Sequence, residues 1–148
     1  MTTSDTGLLD TNILVYAADK SSPFHQTAVN LRDRGMNGVI SVCISPQVLN
    51  EFFAIITTPK RVANPRSQEE AREEMEKYLN SESILKIYPG GEVIREILEL
   101  LKRYKVTRQE IFDLQLVATM LLNDVRRIYT YNSDDFDKYE EIEVLKPS

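Results

Sequence analysis

Short apolar runs alternate along this chain with longer segments whose apolar residues recur at helical spacing, and this rhythm constrains the fold more than any other feature. Gly7–Asp10 reads as a strand, Thr11–Ala18 and Pro23–Arg34 as helices, Val39–Val42 as a strand and Pro46–Ile56 as a helix. Pro59 and the stretch Lys60–Arg66, with Asn64-Pro65 inside it, mark a loop. Beyond it, Ser67–Asn80 reads as a charged helix, Ile84–Ile87 as a strand, Glu92–Tyr104 as an amphipathic helix and Arg108–Leu122 as a strongly apolar one. Arg127–Thr130 and Ile142–Leu145 complete the set as strands. Strands separated by helices predict an α/β domain, its mostly parallel sheet covered by helices on both faces.

The 148 residues, 42% of them hydrophobic, suffice for one compact core, so a single domain over residues 1–148 is expected, with residues 1–6 as a loose tail. No run approaches the roughly eighteen apolar residues of a membrane span, and MTTSDTG is polar where a secretory signal would be apolar. The expected location is cytoplasmic. Cys43, the only cysteine, lies in the apolar stretch VISVCIS and reads as a small buried hydrophobe. His25, the only histidine, has no nucleophile arranged around it and reads as a surface or capping residue. The formal charge of −5 argues against gripping nucleic acid by net charge. Divalent cations bridging acidic side chains to phosphate would reverse that sign locally.

Four acidic positions stand out. Ser45-Pro46 forms an N-cap with proline at the first helical position, and Thr107 with Glu110 fits a capping box. Glu51 and Asp113 then fall in the second turns of their helices and are not needed as caps. Glu51 projects beside Val48, Phe52 and Ile55, and Asp113 lies in the apolar helix IFDLQLVATMLL. Each is an expensive place for a lone charge, so each either pairs with a cation or serves a site. Asp10 follows the strand GLL, at the sheet edge where ligands bind in open parallel sheets, although it equally suits the N-cap of the next helix. Asp134 and Asp135 follow the strand RIYT, and for them ordinary turn chemistry competes with a site role. If the four converge, their repulsion must be relieved by protons or by a cation. Oxygen donors favour Mg²⁺ or Mn²⁺, and metal-assisted phosphodiester hydrolysis follows.

The segments LLDTNILVYAAD, SPQVLNEFF, IFDLQLVATMLLNDVRRIYTYNSDDF and IEVLKP together resemble the PIN-domain family, and most closely its VapC-type toxins. The resemblance spans nearly the whole chain. It implies a three-layer α/β/α sandwich, an Mg²⁺- or Mn²⁺-dependent ribonuclease acting on RNA, a homodimer and inhibition by a cognate VapB-type antitoxin. By the same resemblance Asp10, Glu51, Asp113 and Asp135 match the catalytic acids, Asp10 and Asp113 being the direct metal ligands. Asp134 competes with Asp135 for the fourth place. Thr11, Asn12, Thr130 and Asn132 match supporting polar positions, and some members carry aspartate where this chain has Asn132.

Lys60, Arg61, Arg66 and Arg108 are the candidate contacts to an RNA backbone, together with Lys102, Arg103 and Lys105. The cations near residue 103 equally suit the C-terminus of an amphipathic helix. The acidic helix around Glu69–Glu76 is expected to face solvent or a partner. Two alternatives compete. A haloacid-dehalogenase-like phosphohydrolase requires a second aspartate two residues beyond the first, where this chain has Asn12. A PIN-fold binding module without catalysis would not need all four acids.

Overall fold

The computed structural model describes residues 5–148, so residues 1–4 of the expected tail lie outside it. Thr6 does not behave as tail. It is buried, and its hydroxyl meets Ser41 Oγ at 2.7 Å.

Five short strands, β1 (Gly7–Leu9), β2 (Val42–Ile44), β3 (Ile84–Lys86), β4 (Arg127–Tyr129) and β5 (Glu143–Leu145), form one sheet in the order β3-β2-β1-β4-β5. Every pairing is parallel, with Leu8 opposite Cys43 on one side and Ile128 on the other. Six helices connect them: α1 (Thr11–Ala18), α2 (His25–Met36), α3 (Pro46–Ile56), α4 (Gln68–Asn80), α5 (Val93–Arg103) and α6 (Glu110–Leu122). Helix α1 packs on both α2 and α3, α3 packs on α4, and α5 packs on α6. The crossovers β1 to β2 and β2 to β3 step one way along the sheet, whereas β3 to β4 steps back. Right-handed crossovers therefore put α1–α4 on one face and α5–α6 on the other.

The central strands carry Leu8, Leu9, Val42, Cys43 and Ile44 without any exposure, as expected where both faces are covered. Cys43 is a buried thiol pushed up to about 12 by burial, which makes it inert as a nucleophile. No helix among the described residues is long and apolar enough to cross a membrane.

The second strand lies at Val42–Ile44 rather than Val39–Val42. Helix α2 ends in a Schellman motif: Gly38 adopts φ 73°, its N–H donates to Gly35 O at 3.1 Å, and Val39 N–H donates to Arg34 O at 2.9 Å. Val39 thus belongs to the helix end, where it is 68% exposed. Helix α6 begins at Glu110, two residues later than expected. Arg108 has φ 55°, outside helical space. Glu110 does reach back to the Thr107 N–H at 3.3 Å, but the Thr107 hydroxyl donates to Glu110 instead of accepting from the helix, so only half of the capping box exists. Asp113 consequently sits in the first turn of α6, where the positive end of the helix favours a carboxylate.

Gly35 makes the contact of α2 with the sheet possible. A Cβ there would stand 2.5 Å from Val42 Cγ2, and Val42 is wholly buried. Alanine elsewhere in a helix gains about 1 kcal/mol over glycine, while overpacking costs about 1–3 kcal/mol. Gly35→Ala is therefore expected to destabilise by about 1 kcal/mol in a urea titration; a stabilised variant would show that the contact yields freely.

Candidate active site

The strand order reverses direction between β1 and β4, and the carboxyl ends of these two neighbours carry Asp10 and Thr130. Asp10 is 8% exposed, caps the following helix and still presents its second carboxylate oxygen at the edge of the sheet. Its Oδ1 accepts from Thr11 N–H at 2.8 Å, capping α1. Its Oδ2 accepts from the Thr130 hydroxyl at 2.7 Å and from Asn12 Nδ2 at 3.2 Å.

Thr130 can point its single proton nowhere else. Its oxygen already accepts from Asn12 Nδ2 at 3.1 Å and from Asn132 N–H at 3.0 Å, which occupies both lone pairs. Asn12 is equally committed, since its Oδ1 accepts from Tyr131 N–H at 3.1 Å. Thr130→Val removes the acceptor of the Asn132 N–H and one of the two partners of both Asn12 Nδ2 and Asp10 Oδ2. The expected cost is about 1–3 kcal/mol in thermal unfolding and about 10–100-fold in divalent-ion affinity, with Thr130→Ser close to wild type. Equal ion affinity in Thr130→Val would remove Thr130 from the site.

Glu51, Asp113 and Asp135 line the same cavity of about 300 Å³ as Asp10, Thr11, Asn12, Asn132 and Arg61. Glu51 is exposed at its edge rather than pressed into an apolar face; Val48 and Phe52 beside it take the burial. Two donors fix it, the Thr11 hydroxyl at 3.1 Å and Gln47 Nε2 at 3.0 Å. Gln47 also donates to Phe112 O at 2.9 Å, which ties α3 to the turn of α6 that carries Asp113. The Gln47–Glu51 spacing of four residues was the sequence signal for this missed positioning residue. Asp113 is half-buried and accepts no hydrogen bond among the described residues. Asp135 sits in a single 3-10 turn, Ser133–Asp135, and faces the cavity, whereas Asp134 does not line it.

Burial pushes Asp10 up to about 6 against the pull of its Thr130 and Thr11 hydrogen bonds, with Glu51 and Asp135 adding repulsion. Asp113 rises to about 7, through burial first and then repulsion from Asp135, Asp10 and Glu51. None of the four carboxylates has an ion-pair partner among the described residues, so the pairing with a cation that the positions of Glu51 and Asp113 also allowed does not occur. Tyr139, which the sequence did not single out, is buried nearby; burial and Asp113 push its hydroxyl up to about 12, so it stays neutral.

The oxygen donors suit a hard cation such as Mg²⁺ or Mn²⁺. Among the described residues no three acidic, histidine or cysteine side chains close into a ready cage.

The expected cations divide. Arg61 lines the acidic cavity. Arg66 is held elsewhere, donating to Ala18 O at the end of α1 and to Asn64 O at 2.8 Å. Lys60 and Arg108 are exposed and outside the cavity lining. Lys102 and Arg103 pair with Glu99 and Glu141. His25 caps a helix end, its Nδ1 lying 2.9 Å from Tyr16 O. On α4, Arg72 bridges Glu69 and Glu76, and that acidic face is largely exposed.

Comparison with known proteins places these features in context. The sequence model of the PIN domain matches residues 7–142. Two similar relatives are ribonuclease VapC24 of Mycobacterium tuberculosis, 26% identical over 139 residues, and ribonuclease VapC48 of the same organism, 25% identical over 138 residues. The first alignment covers 94% of each chain, and the second covers 93% of this chain and 94% of the relative. Among solved structures, VapC20 of Mycobacterium tuberculosis, described as a Sarcin-Ricin loop cleaving toxin, aligns with a TM-score of 0.66 and 17% identity, covering 91% of this chain and 97% of that one. VapBC2 from Rickettsia felis, bound to a DNA fragment from its promoter, aligns at 0.64 and 18%, covering 97% and 99%. At these identities the structural likeness speaks for the fold.

Proposed function

The chain belongs to the PIN-domain family, and from that premise we propose that it is a metal-dependent endoribonuclease, the toxin of a toxin–antitoxin pair, with Asp10, Glu51, Asp113 and Asp135 as its catalytic acids. The observation that carries the reading is the convergence of these four carboxylates, without ion-pair partners among the described residues, in one cavity at the switch point of the sheet. The ribonuclease names of the relatives and the VapBC complexes among the structural neighbours support it.

Asp10 and Asp113 are the ligands proposed for Mg²⁺ or Mn²⁺. The bound cation supplies positive charge for the phosphate and acidity for the attacking water. Thr130, Asn12 and the Thr11 N–H hold the Asp10 carboxylate in one orientation. Glu51, fixed by Thr11 and Gln47 at the cavity edge, is placed to accept a proton from water. Arg61 offers its guanidinium to the phosphate, and Asp135 completes the acidic wall. Water adds to phosphorus as the bond to the leaving oxygen breaks, and that oxygen takes up a proton. A VapB-type antitoxin and a second copy of the chain are the proposed partners.

The experiment is incubation of purified protein with total RNA in Mg²⁺ or Mn²⁺ and in EDTA. Cleavage in metal alone is the expected result. Absence of cleavage by folded protein in either metal would favour a binding module without catalysis. A haloacid-dehalogenase-like mechanism has no place here, because Asn12 stands where its second aspartate is needed and is committed to Asp10, Thr130 and Tyr131.

A further inference from the structure

One wall of the acidic cavity is Tyr16 of α1, which clusters with two further aromatic rings that the acid chemistry does not use. The Tyr16 ring centroid stands 5.3 Å from that of Phe24 and 5.2 Å from that of Tyr131, and Phe24 and Tyr131 are 4.8 Å apart. The rings come from three separate places: α1, the residue before α2, and the loop after β4. Tyr131 is fastened at both ends, its N–H donating to Asn12 Oδ1 and its hydroxyl lying 2.5 Å from Thr27 Oγ1. The cluster is thus rigidly joined to the network that orients Asp10. Phe24 nevertheless remains 43% exposed.

Apart from a bound cation, little else at this site would hold a polyanion. The chain carries −5, and Arg61 is the one cation lining the cavity among the described residues. Stacking of a base on an aromatic ring is indifferent to that charge and contributes roughly tenfold to a hundredfold in affinity per base. We propose that Phe24, backed by Tyr16 and Tyr131, is a stacking platform for an unpaired nucleobase next to the phosphate that enters the acidic cavity. Phe24 is then a specificity-determining residue, because a base within a duplex already has both faces covered and cannot use the platform. This rests on the nuclease reading for the identity of the ligand.

The chain contains no tryptophan, so Phe24→Trp introduces a single indole reporter. In the cleavage-disabled background Asp10→Asn with Mg²⁺, a short single-stranded oligoribonucleotide is expected to quench that fluorescence. An oligonucleotide of equal length with abasic sugars is expected to bind at least about tenfold more weakly. Equal quenching by both, or none by either, overturns the platform. In the otherwise wild-type protein, Phe24→Ala is expected to raise KM for RNA about tenfold with kcat changed less than about twofold. Phe24→Tyr should restore KM and Phe24→Leu should not; an unchanged KM in Phe24→Ala, or full rescue by leucine, overturns it too. If the wild type cleaves no RNA while the tryptophan variant still discriminates bases, the nuclease reading fails and the platform stands.

Discussion

Asp10→Asn and Asp113→Asn are each expected to lower metal-dependent RNA cleavage by at least about a hundredfold, while Asp134→Asn stays near wild type. The contrast follows from placement, since Asp134 is exposed and outside the cavity that Asp10, Asp113 and Asp135 share. Stability separates this account from a structural one. Asp113 accepts no hydrogen bond and joins no ion pair among the described residues, and burial together with four neighbouring carboxylates opposes its charge. Its neutralisation should leave the melting temperature in EDTA unchanged or raised. If Asp113 were instead one half of a buried ion pair, the same substitution would cost about 3–5 kcal/mol. A clear drop in melting temperature, with cleavage intact, would contradict the assignment.

Without divalent cation the protein is expected to lose stability as pH rises from about 4 to about 7. In the folded chain Asp10 keeps its proton up to about 6 and Asp113 up to about 7, whereas in the unfolded chain both release theirs near 3.8. Over that window the folded state binds more protons, so the free energy of unfolding falls with increasing pH. For the buried Asp10 the gap is worth about 3 kcal/mol. Asp113, half open to solvent, adds less than its larger displacement implies. Saturating Mg²⁺ acts in the opposite direction: at a hundred times its dissociation constant it adds about 2.7 kcal/mol, and most of the loss near neutral pH should vanish. Thermal melts between about pH 4 and pH 8 in EDTA and in Mg²⁺ measure both effects. A profile in EDTA that is flat or rising from about pH 5 to pH 7 would contradict the clustering of unpaired acids.

The alternation of strands and helices is legible in the sequence because the central strands are buried on both faces and read as continuous apolar runs, Gly7–Leu9 among them. The end of α2 is not, because Val39 and Ile40 look like the start of a strand and only the αL conformation of Gly38 assigns them to a Schellman turn. Arg108 misleads in the same way: nothing in Thr107-Arg108-Gln109-Glu110 announces a positive φ, so α6 starts late and Asp113 moves into its first turn. At the site, the acids are visible as charges in apolar company, although Glu51 owes its place to the edge of an apolar stripe rather than to its middle. What periodicity cannot convey is which long-range partners hold them. The Thr130 hydroxyl that orients Asp10 is 120 residues away in sequence, and Gln47 reaches 65 residues to Phe112. The aromatic cluster is equally hidden, since Tyr16, Phe24 and Tyr131 share no sequence pattern.

Calorimetric titration of Mn²⁺ into the protein near pH 7, in buffers of differing ionisation enthalpy, tests the central claim most directly. The account predicts that the wild type binds the ion and releases protons as it does so, because Asp113, with a pKa of about 7, must give up its proton to serve as a ligand. It also predicts that Asp113→Asn and Asp10→Asn weaken binding at least about tenfold. Folded wild-type protein that takes up no Mn²⁺, or an Asp113→Asn variant that binds it equally well, would contradict the account.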